Sequence, residues 1–435
     1  MPRYTPYPHA AHQACLTLAL AAALTATLTA CTAADAAQDT ASTPAGRPGV
    51  TAAQETRLAA LAQQVVGAGA PGVLVRVDNG HGQATAIARQ ASWARADHTL
   101  TVRDEFRMGS NTKTMVATVV LQLVADHRLQ LTDPVEKWLP GLIPNGSAIT
   151  LRMLLNHTSG LYNIIPDDAD VLKTFTGQDA RQWTPEELIA AGVRHAPLFP
   201  PGTKYSYSNT GYIALGLVAE KATGHTLSDL VQERIAKPLH LKSTYLVNGS
   251  ERTRSPRLAH GYEPDPAHLA PVLWPGIPAG TAFVGPARPA GYVDATGINE
   301  NTEWASGSMV SSAQDWARFD TALLSGKLLP SAQLKEMKTT VAEESGNPNR
   351  YGLGLEKKVT PCGAVWGHDG QAPGFSSWDY TDGTGRRTVS VHVPTIFGIA
   401  AAKPAAATEA LVNAAVCTML DKPIPTTATS APTGS

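Results

Sequence analysis

Cysteine is scarce in this chain, four in 435 residues, and no two stand as Cys-x-x-Cys. No His-Glu-x-x-His occurs either, so the sequence supports neither a metal site nor a cofactor. An excess of one charge is missing too. Lys and Arg total 35 against 36 Asp and Glu, a formal net charge of −1, which gives nucleic acid or an anionic membrane surface no electrostatic footing as main partner. Gly-x-Ser-x-Gly is absent, which argues against a nucleophile on a strand-to-helix elbow. Aromatic residues make up only 6 % and decide little about function.

An Ala/Leu/Thr-rich run over residues 16–30 is shorter than the about 20 residues a membrane-spanning helix needs, and Arg3 precedes it. It ends in Leu28-Thr29-Ala30-Cys31, which resembles a bacterial lipobox with Cys31 as the lipidated residue. Residues 1–31 therefore read as an export signal, with plain secretion as the alternative to a lipid anchor. Residues 32–50, rich in Ala, Thr, Asp and Pro, read as a flexible tether. Export would remove Cys15 and use Cys31, leaving Cys362 and Cys417. Two cysteines in an oxidising compartment give a disulfide as first reading and two buried thiols as the second.

The remaining length is enough for one large catalytic domain, placed at 51–421. Spacing predicts a helix over 51–66, a strand over 72–77 turning at Asn79-Gly80, and a return strand over 83–94. Residues 115–125, 188–193, 212–222 and 227–235 have helical patterns, and 353–359, 364–367, 375–380 and 388–393 strand patterns. A last helix over 405–420 carries Cys417. Strands at both ends and helices between imply an α+β fold, an antiparallel sheet flanked by helices with an inserted, mostly helical subdomain. The sheet part would be about 51–105 and 300–421, the helical part about 106–299. Seven prolines within 262–297 argue for an irregular loop able to lid a cleft, and 422–435 for a disordered tail.

Three patterns, each present once, carry the chemistry: Ser110-Asn111-Thr112-Lys113, Tyr207-Ser208-Asn209 and His368-Asp369-Gly370. A spacing of three at a helix start puts Lys113 on the same face as Ser110. Burial there would depress the lysine pKa and make its neutral form a base for the serine hydroxyl. Gly109 beside the serine gives the backbone room to approach a substrate. The Tyr207 hydroxyl can relay a proton, and the Asn209 amide can hold Lys113 and a substrate carbonyl; taken alone, Asn209 or Thr210 is as well explained as a helix N-cap. His368 followed by Gly370 at the end of an apolar strand suits a strand edge that receives an acyl group, although a lone histidine is more often structural.

With these motifs the chain resembles the serine β-lactamase/penicillin-binding protein superfamily. More narrowly it is similar to the class C-like branch that includes the soluble DD-carboxypeptidase/transpeptidase of actinomycetes. Supporting stretches include Phe106-Arg107-Met108-Gly109, Leu154-Leu155-Asn156-His157-Thr158-Ser159-Gly160-Leu161-Tyr162, the run from Trp304 to Ser312, and Tyr351-Gly352-Leu353-Gly354-Leu355. The resemblance implies an acyl-enzyme on Ser110, with Lys113 as base or relay, Tyr207 as proton shuttle, Asn209 as orienting group and His368 assisting from the strand. It implies an oxyanion hole from the backbone N–H groups of Ser110 and Gln371, Asp369 and Gly370 along the substrate strand, and Trp304 as an aromatic wall. It also implies the Cys362–Cys417 disulfide.

Departures from the pattern bear on substrate. DD-peptidases of this kind place threonines and an arginine where this chain has Asp369, Gln371 and Glu356. Two acids there would repel a substrate carboxylate, unless Lys357 or Lys358 replaces the arginine. The expected function is an exported serine hydrolase, with D-alanyl-D-alanine peptides as the first substrate class. An esterase, D-amino-acid amidase or aminopeptidase, or class C-like β-lactamase stands as the alternative, and a non-catalytic wall-binding lipoprotein outside that class. Expected partners are peptide or other acyl small molecules, including peptidoglycan stem peptides and β-lactams, with membrane contact only through the lipid and a monomeric state.

Overall fold

Strands from the N- and C-terminal parts of the described chain build one antiparallel sheet. The computed structural model describes residues 49–247, 255–269, 281–343 and 346–424, apart from the side chains of 166 and 167. The expected signal with Cys31, most of the tether, and residues 425–435 lie outside the described residues. In chain order the strands are β1 (Gly72–Asp78), β2 (Thr85–Gln90), β3 (Glu105–Arg107), β4 (Tyr245–Leu246), β5 (Tyr262–Pro264), β6 (Ala287–Arg288) and β7 (Tyr292–Asp294). They continue with β8 (Met309–Ser312), β9 (Val341–Ala342), β10 (Arg350–Tyr351), β11 (Glu356–Thr360), β12 (Gly363–Ala372), β13 (Phe375–Thr381) and β14 (Thr388–Val393).

The main sheet runs β2-β1-β14-β13-β12-β11-β10-β9. N- and C-terminal segments meet at β1 and β14, with Leu74 opposite His392 and Val77 opposite Val389. The terminal helices Ala52–Gly67 and Ala402–Met419 cover one face, burying Leu58, Leu61, Val65, Leu411 and Val416 against Val73, Val75 and Val391. Each such side chain contributes roughly 1.5–3 kcal/mol when fully buried. The first helix starts on a capping box between Thr51 and Gln54. The larger core lies on the other face, around the helices Thr112–Ala125, Asn209–Thr223 and Ala313–Leu324. The α+β architecture therefore matches the sequence reading.

Local details differ. The return strand stops at Gln90, and Ser92–Ala96 forms a 3-10 turn that packs Ala94 inward. The strand expected from 353 begins only at Glu356, because Gly354 takes φ +72 and Gly352 N–H bonds Leu355 O in a tight turn. The proline-rich 262–297 stretch is not wholly irregular: β5, β7 and β6 pair as a small sheet, with residues 270–280 outside the described set. Glu263 anchors it by accepting from the backbone N–H groups of Gly374, Ile396 and Phe397. At the C-terminal end Ile424 still packs on the terminal-helix cluster. Cys362 and Cys417 are joined by a disulfide, with Cα atoms 5.2 Å apart.

Candidate active site

Strand β3 pairs with β8 and delivers the chain to Met108, whose N–H bonds Met309 O at 2.8 Å. Gly109 then adopts φ +51, where an added Cβ would collide with the Gln371 backbone; only glycine suits that conformation and that approach. The turn Gly109–Asn111 feeds directly into the helix Thr112–Ala125, so Ser110 and Lys113 stand one turn apart.

Lys113 is wholly buried, although lysine almost never is without partners. Its Nζ donates to Asn209 Oδ1 at 2.6 Å, Ser306 O at 2.8 Å and Ser110 Oγ at 3.0 Å. Burial lowers its pKa to about 7, against the opposing pull of Glu303 and Asp369. A neutral amine held at hydrogen-bond distance from a hydroxyl can take its proton.

Ser208, rather than Asn209 or Thr210, is the N-cap of the helix Asn209–Thr223, its Oγ accepting from Gly211 N–H. That leaves the Asn209 side chain free to reach Lys113, while Asn209 N–H bonds Asn163 Oδ1 at 3.0 Å. Tyr207 lies with its ring 4.7 Å from Lys113 Nζ. Burial holds its hydroxyl well above the usual phenol range, against hydrogen bonding with Ser110. That hydroxyl makes no hydrogen bond of full geometry to any described residue.

On the far side of the cleft, β11 pairs with β12 only as far as Glu356 opposite Gly367. From His368 to Ala372, β12 keeps its ladder to β13 alone, leaving an edge beside the Ser110 turn. Gly370 is required there, because a Cβ would strike Met108 O. His368 is buried, and burial lowers its pKa to about 4, against the pull of Asp369. Its Nδ1 faces the Asp369 carbonyl and its Nε2 lies 2.9 Å from Tyr351 Oη. A carbonyl only accepts, so Nδ1 carries the proton and Nε2 accepts from Tyr351. His368 thus flanks Tyr207, ring centroids 6.3 Å apart, without bonding Ser110 or Tyr207.

The structure gathers Ser110, Lys113, Tyr207, Asn209, His368, Gly370 and Gln371 around one seam. Trp304 departs from expectation. Its ring is turned into the core against Gly216, only 8 % of it exposed, so it forms no open wall. What that turn offers the site is the Ser306 carbonyl.

The motif reading did not assign His157 or Tyr351. His157, at φ +59, packs its ring 4.3 Å from that of Tyr207 and 4.6 Å from that of Tyr351, and its Nδ1 accepts from Ser208 N–H. These contacts join segments far apart in sequence, and the only sequence sign was their place in the family-like stretches.

The expected pair of repelling acids also changes. Glu356 is buried and its carboxyl is pushed up to about 8, chiefly by desolvation and against the pull of Lys358. Lys358 Nζ lies 3.9 Å from it, whereas Lys357 covers Trp366. Asp369 has about half its side chain exposed, at 49 %. Burial thus favours the neutral form of Glu356, while Asp369 stands half exposed at the strand edge with Lys358 close by.

Among the described residues, one group of metal-type ligand atoms lies within 4.8 Å of one another, those of Asp97, His260 and Asp294. Arg288 already bonds both carboxylates, at 2.7 and 3.1 Å, so the cluster is an internal ion-pair network.

The Beta-lactamase family profile matches residues 21–411 of this chain. Penicillin-binding protein 4* of Bacillus subtilis (strain 168) is 30 % identical over 280 residues, 62 % of this chain and 56 % of the relative; the chain spans little more than half that protein's length. A solved D-stereospecific amidohydrolase from a Streptomyces species is 34 % identical with a TM-score of 0.68, covering 80 % of this chain and 94 % of the other. The D-amino acid amidase of Ochrobactrum anthropi SV3 is 26 % identical with a TM-score of 0.71, covering 84 % and 98 %. By sequence match over most of its length, and by the fold described above, this chain belongs to the Beta-lactamase family, alongside a penicillin-binding protein and a D-stereospecific amidohydrolase.

Proposed function

We propose that this protein is a serine hydrolase acting through an acyl-enzyme on Ser110, with amides or short peptides of D-configured amino acids as substrates. One observation carries the reading: a fully enclosed Lys113 amine with a pKa lowered to about 7, 3.0 Å from Ser110 Oγ. Neutral Lys113 takes the Ser110 proton as Oγ bonds the substrate carbonyl carbon. The developing oxyanion is held by the backbone N–H groups of Ser110 and Gln371. Tyr207 passes its hydroxyl proton to the leaving amine as the C–N bond breaks and takes one in turn from the Lys113 ammonium, while Asn209 keeps Lys113 aligned. Water then attacks the ester, and the proton path runs in reverse to regenerate Ser110.

The substrate class draws on two supports. Similar solved structures are named a D-stereospecific amidohydrolase and a D-amino acid amidase, and a half-exposed Asp369 at the strand edge favours an ammonium over a carboxylate there. A second reading, a D-alanyl-D-alanine carboxypeptidase, is favoured by Lys358, which stands near Asp369 and Glu356 and could take a terminal carboxylate.

Export is proposed as well. The Cys362–Cys417 disulfide supports an oxidising compartment, with Cys31 as the lipid attachment point. A diacylglyceryl adduct on Cys31 in protein taken from its own cells would support the anchor, and an unmodified or differently cleaved N-terminus would reject it.

The activity test is intact-mass analysis after mixing with a fluorescent penicillin, followed by turnover of D-phenylalanine amide and a D-alanyl-D-alanine peptide. A Ser110 adduct with faster amide turnover is the expected result. Faster turnover of the dipeptide would favour the carboxypeptidase, and an adduct elsewhere would overturn the site.

A further inference from the structure

Beneath the Ser110 turn runs a chain of buried polar groups that the acyl-transfer steps do not use. Asn111 Nδ2 donates to Ser377 Oγ at 2.9 Å and to Asp379 Oδ2 at 3.3 Å. Ser377 Oγ donates onward to Met108 O at 3.0 Å. The chain is therefore tied to β13 both before and after Ser110. Ser377 and Asp379, two residues apart, share one face of that strand. Behind them His392, on β14, brings Nε2 within 3.1 and 3.2 Å of the two Asp379 oxygens. Asn111, Ser377, Asp379 and His392 are all essentially inaccessible. From the helix Ala313–Leu324, Asp320 faces the same carboxylate; burial, and then the charge of Asp379, hold its carboxyl well above the ordinary range.

Apolar side chains of similar volume would stabilise such a core at least as well, so stability alone does not account for a buried carboxylate at this place. Geometry does. β13 is hydrogen-bonded to β12, with Gly370 opposite Ser377 and Gln371 opposite Ser376. One ladder thus carries the Gln371 N–H and also grips the turn that presents the Ser110 N–H.

We propose that Asn111, Asp379 and His392 are positioning residues that hold the Ser110 turn against β13 and so set the spacing of the two oxyanion donors. Asn111 supplies the bond to the turn. Asp379 orients the Asn111 amide, and His392 fixes the Asp379 carboxylate. This rests on Ser110 being the acylated nucleophile.

The test uses the full chain and measures the Ser110 acylation rate with a fluorescent penicillin and a nitrophenyl ester, alongside kcat, KM and thermal melting. Asn111→Asp opposes two carboxylates, and Asp379→Leu removes the acceptor that orients Asn111. Each should slow acylation by about 30-fold or more, since misplacing reacting groups by about 1 Å costs about 10²-fold, with KM changed less than about threefold. The exchange pair Asn111→Asp with Asp379→Asn restores a donor opposite an acceptor and should recover about tenfold over the slower single variant. Asn111→Ala serves where Asn111→Asp does not fold, with the same expected loss. Folded single variants that acylate at the wild-type rate, or an exchange pair no faster than either single change, would overturn the proposal. Peptide mapping of the wild-type adduct separates the two failures: labelling away from Ser110 removes the nucleophile assignment itself.

Discussion

Lys113 Nζ donates to Ser110 Oγ at 3.0 Å from a position with no solvent exposure. An amine so enclosed loses hydration that its charged form needs, and three oxygen acceptors recover only part of it. The result is an amine with its pKa lowered to about 7, held at the Ser110 hydroxyl where the proposed acylation needs a base.

The first prediction is a pH profile. Lys113 must be neutral to accept the proton, and its pKa is lowered to about 7. The acylation rate should therefore rise about tenfold per pH unit below 7 and level off above it. Asn209→Asp adds a negative charge at the atom now 2.6 Å from Nζ, which favours the ammonium form and should move the acid limb upward by about one unit or more. A limb that stays in place would remove Lys113 as the titrating base.

Gly109 supplies the second. It combines φ +51 with a contact to the Gln371 backbone that leaves no room for a Cβ. Gly109→Ala should push the turn off β12 and misplace an oxyanion donor, an error that costs about 10²–10³-fold in kcat. Circular dichroism and melting would check that the fold survives, and an acylation rate within threefold of wild type would contradict the placement.

His157 gives the third. Its Nδ1 accepts from the buried Ser208 N–H at 3.1 Å, and its ring supports Tyr207. His157→Phe keeps the ring but strands the donor, which costs roughly 1–3 kcal/mol. Chemical denaturation should show that loss, with kcat reduced through the displaced Tyr207 hydroxyl.

Much of this site was legible because its motifs are short and local. Ser110 and Lys113 are linked by helical spacing, and His368 and Gly370 by strand alternation, so residue types and intervals were enough. The sheet was legible as well, since β14 alternates Val with polar residues and β1 is a Val/Leu-rich run before a turn. Contacts between distant segments were not. His157 meets Tyr351 across the cleft, and Asn111 meets Asp379 through the core, and neither pairing leaves a periodic trace. Trp304 was misplaced because a family-like position says nothing of rotamer, and the space left by Gly216 draws the ring inward. The proline-rich stretch hid three short strands, because two- and three-residue strands fall below any periodic signal.

Removal of the disulfide is the fourth prediction. Cys362 and Cys417 are 55 residues apart, and closing a loop of that size stabilises by about 4 kcal/mol in the chain-entropy treatment, with measured values of 2–4 kcal/mol typical. The double change Cys362→Ser with Cys417→Ser should lower the denaturant midpoint accordingly. Acylation should persist, because the bridge joins the turn before β12 to the C-terminal helix, away from the Ser110 seam. Loss of acylation in a folded double variant would show that the bridge reaches the site.

Asp369 decides substrate charge in the last prediction. It is half exposed at 49 % on the β12 edge and 3.8 Å from His368 Nδ1, where the proposed reading puts the substrate's charged end. The carboxyl of Glu356 behind it is pushed up by burial, against the pull of Lys358, which weakens a second negative charge there. Asp369→Asn therefore removes most of the negative potential while leaving Lys358 in place. Turnover of an amide bearing a free ammonium group should fall, and turnover of a peptide ending in a carboxylate should rise. A tenfold change in the ratio of their kcat/KM values, about 1.4 kcal/mol, is the expected scale, and it should shrink in high salt because the group is exposed. Equal effects on both substrates would mean that Asp369 shapes the strand without reading charge.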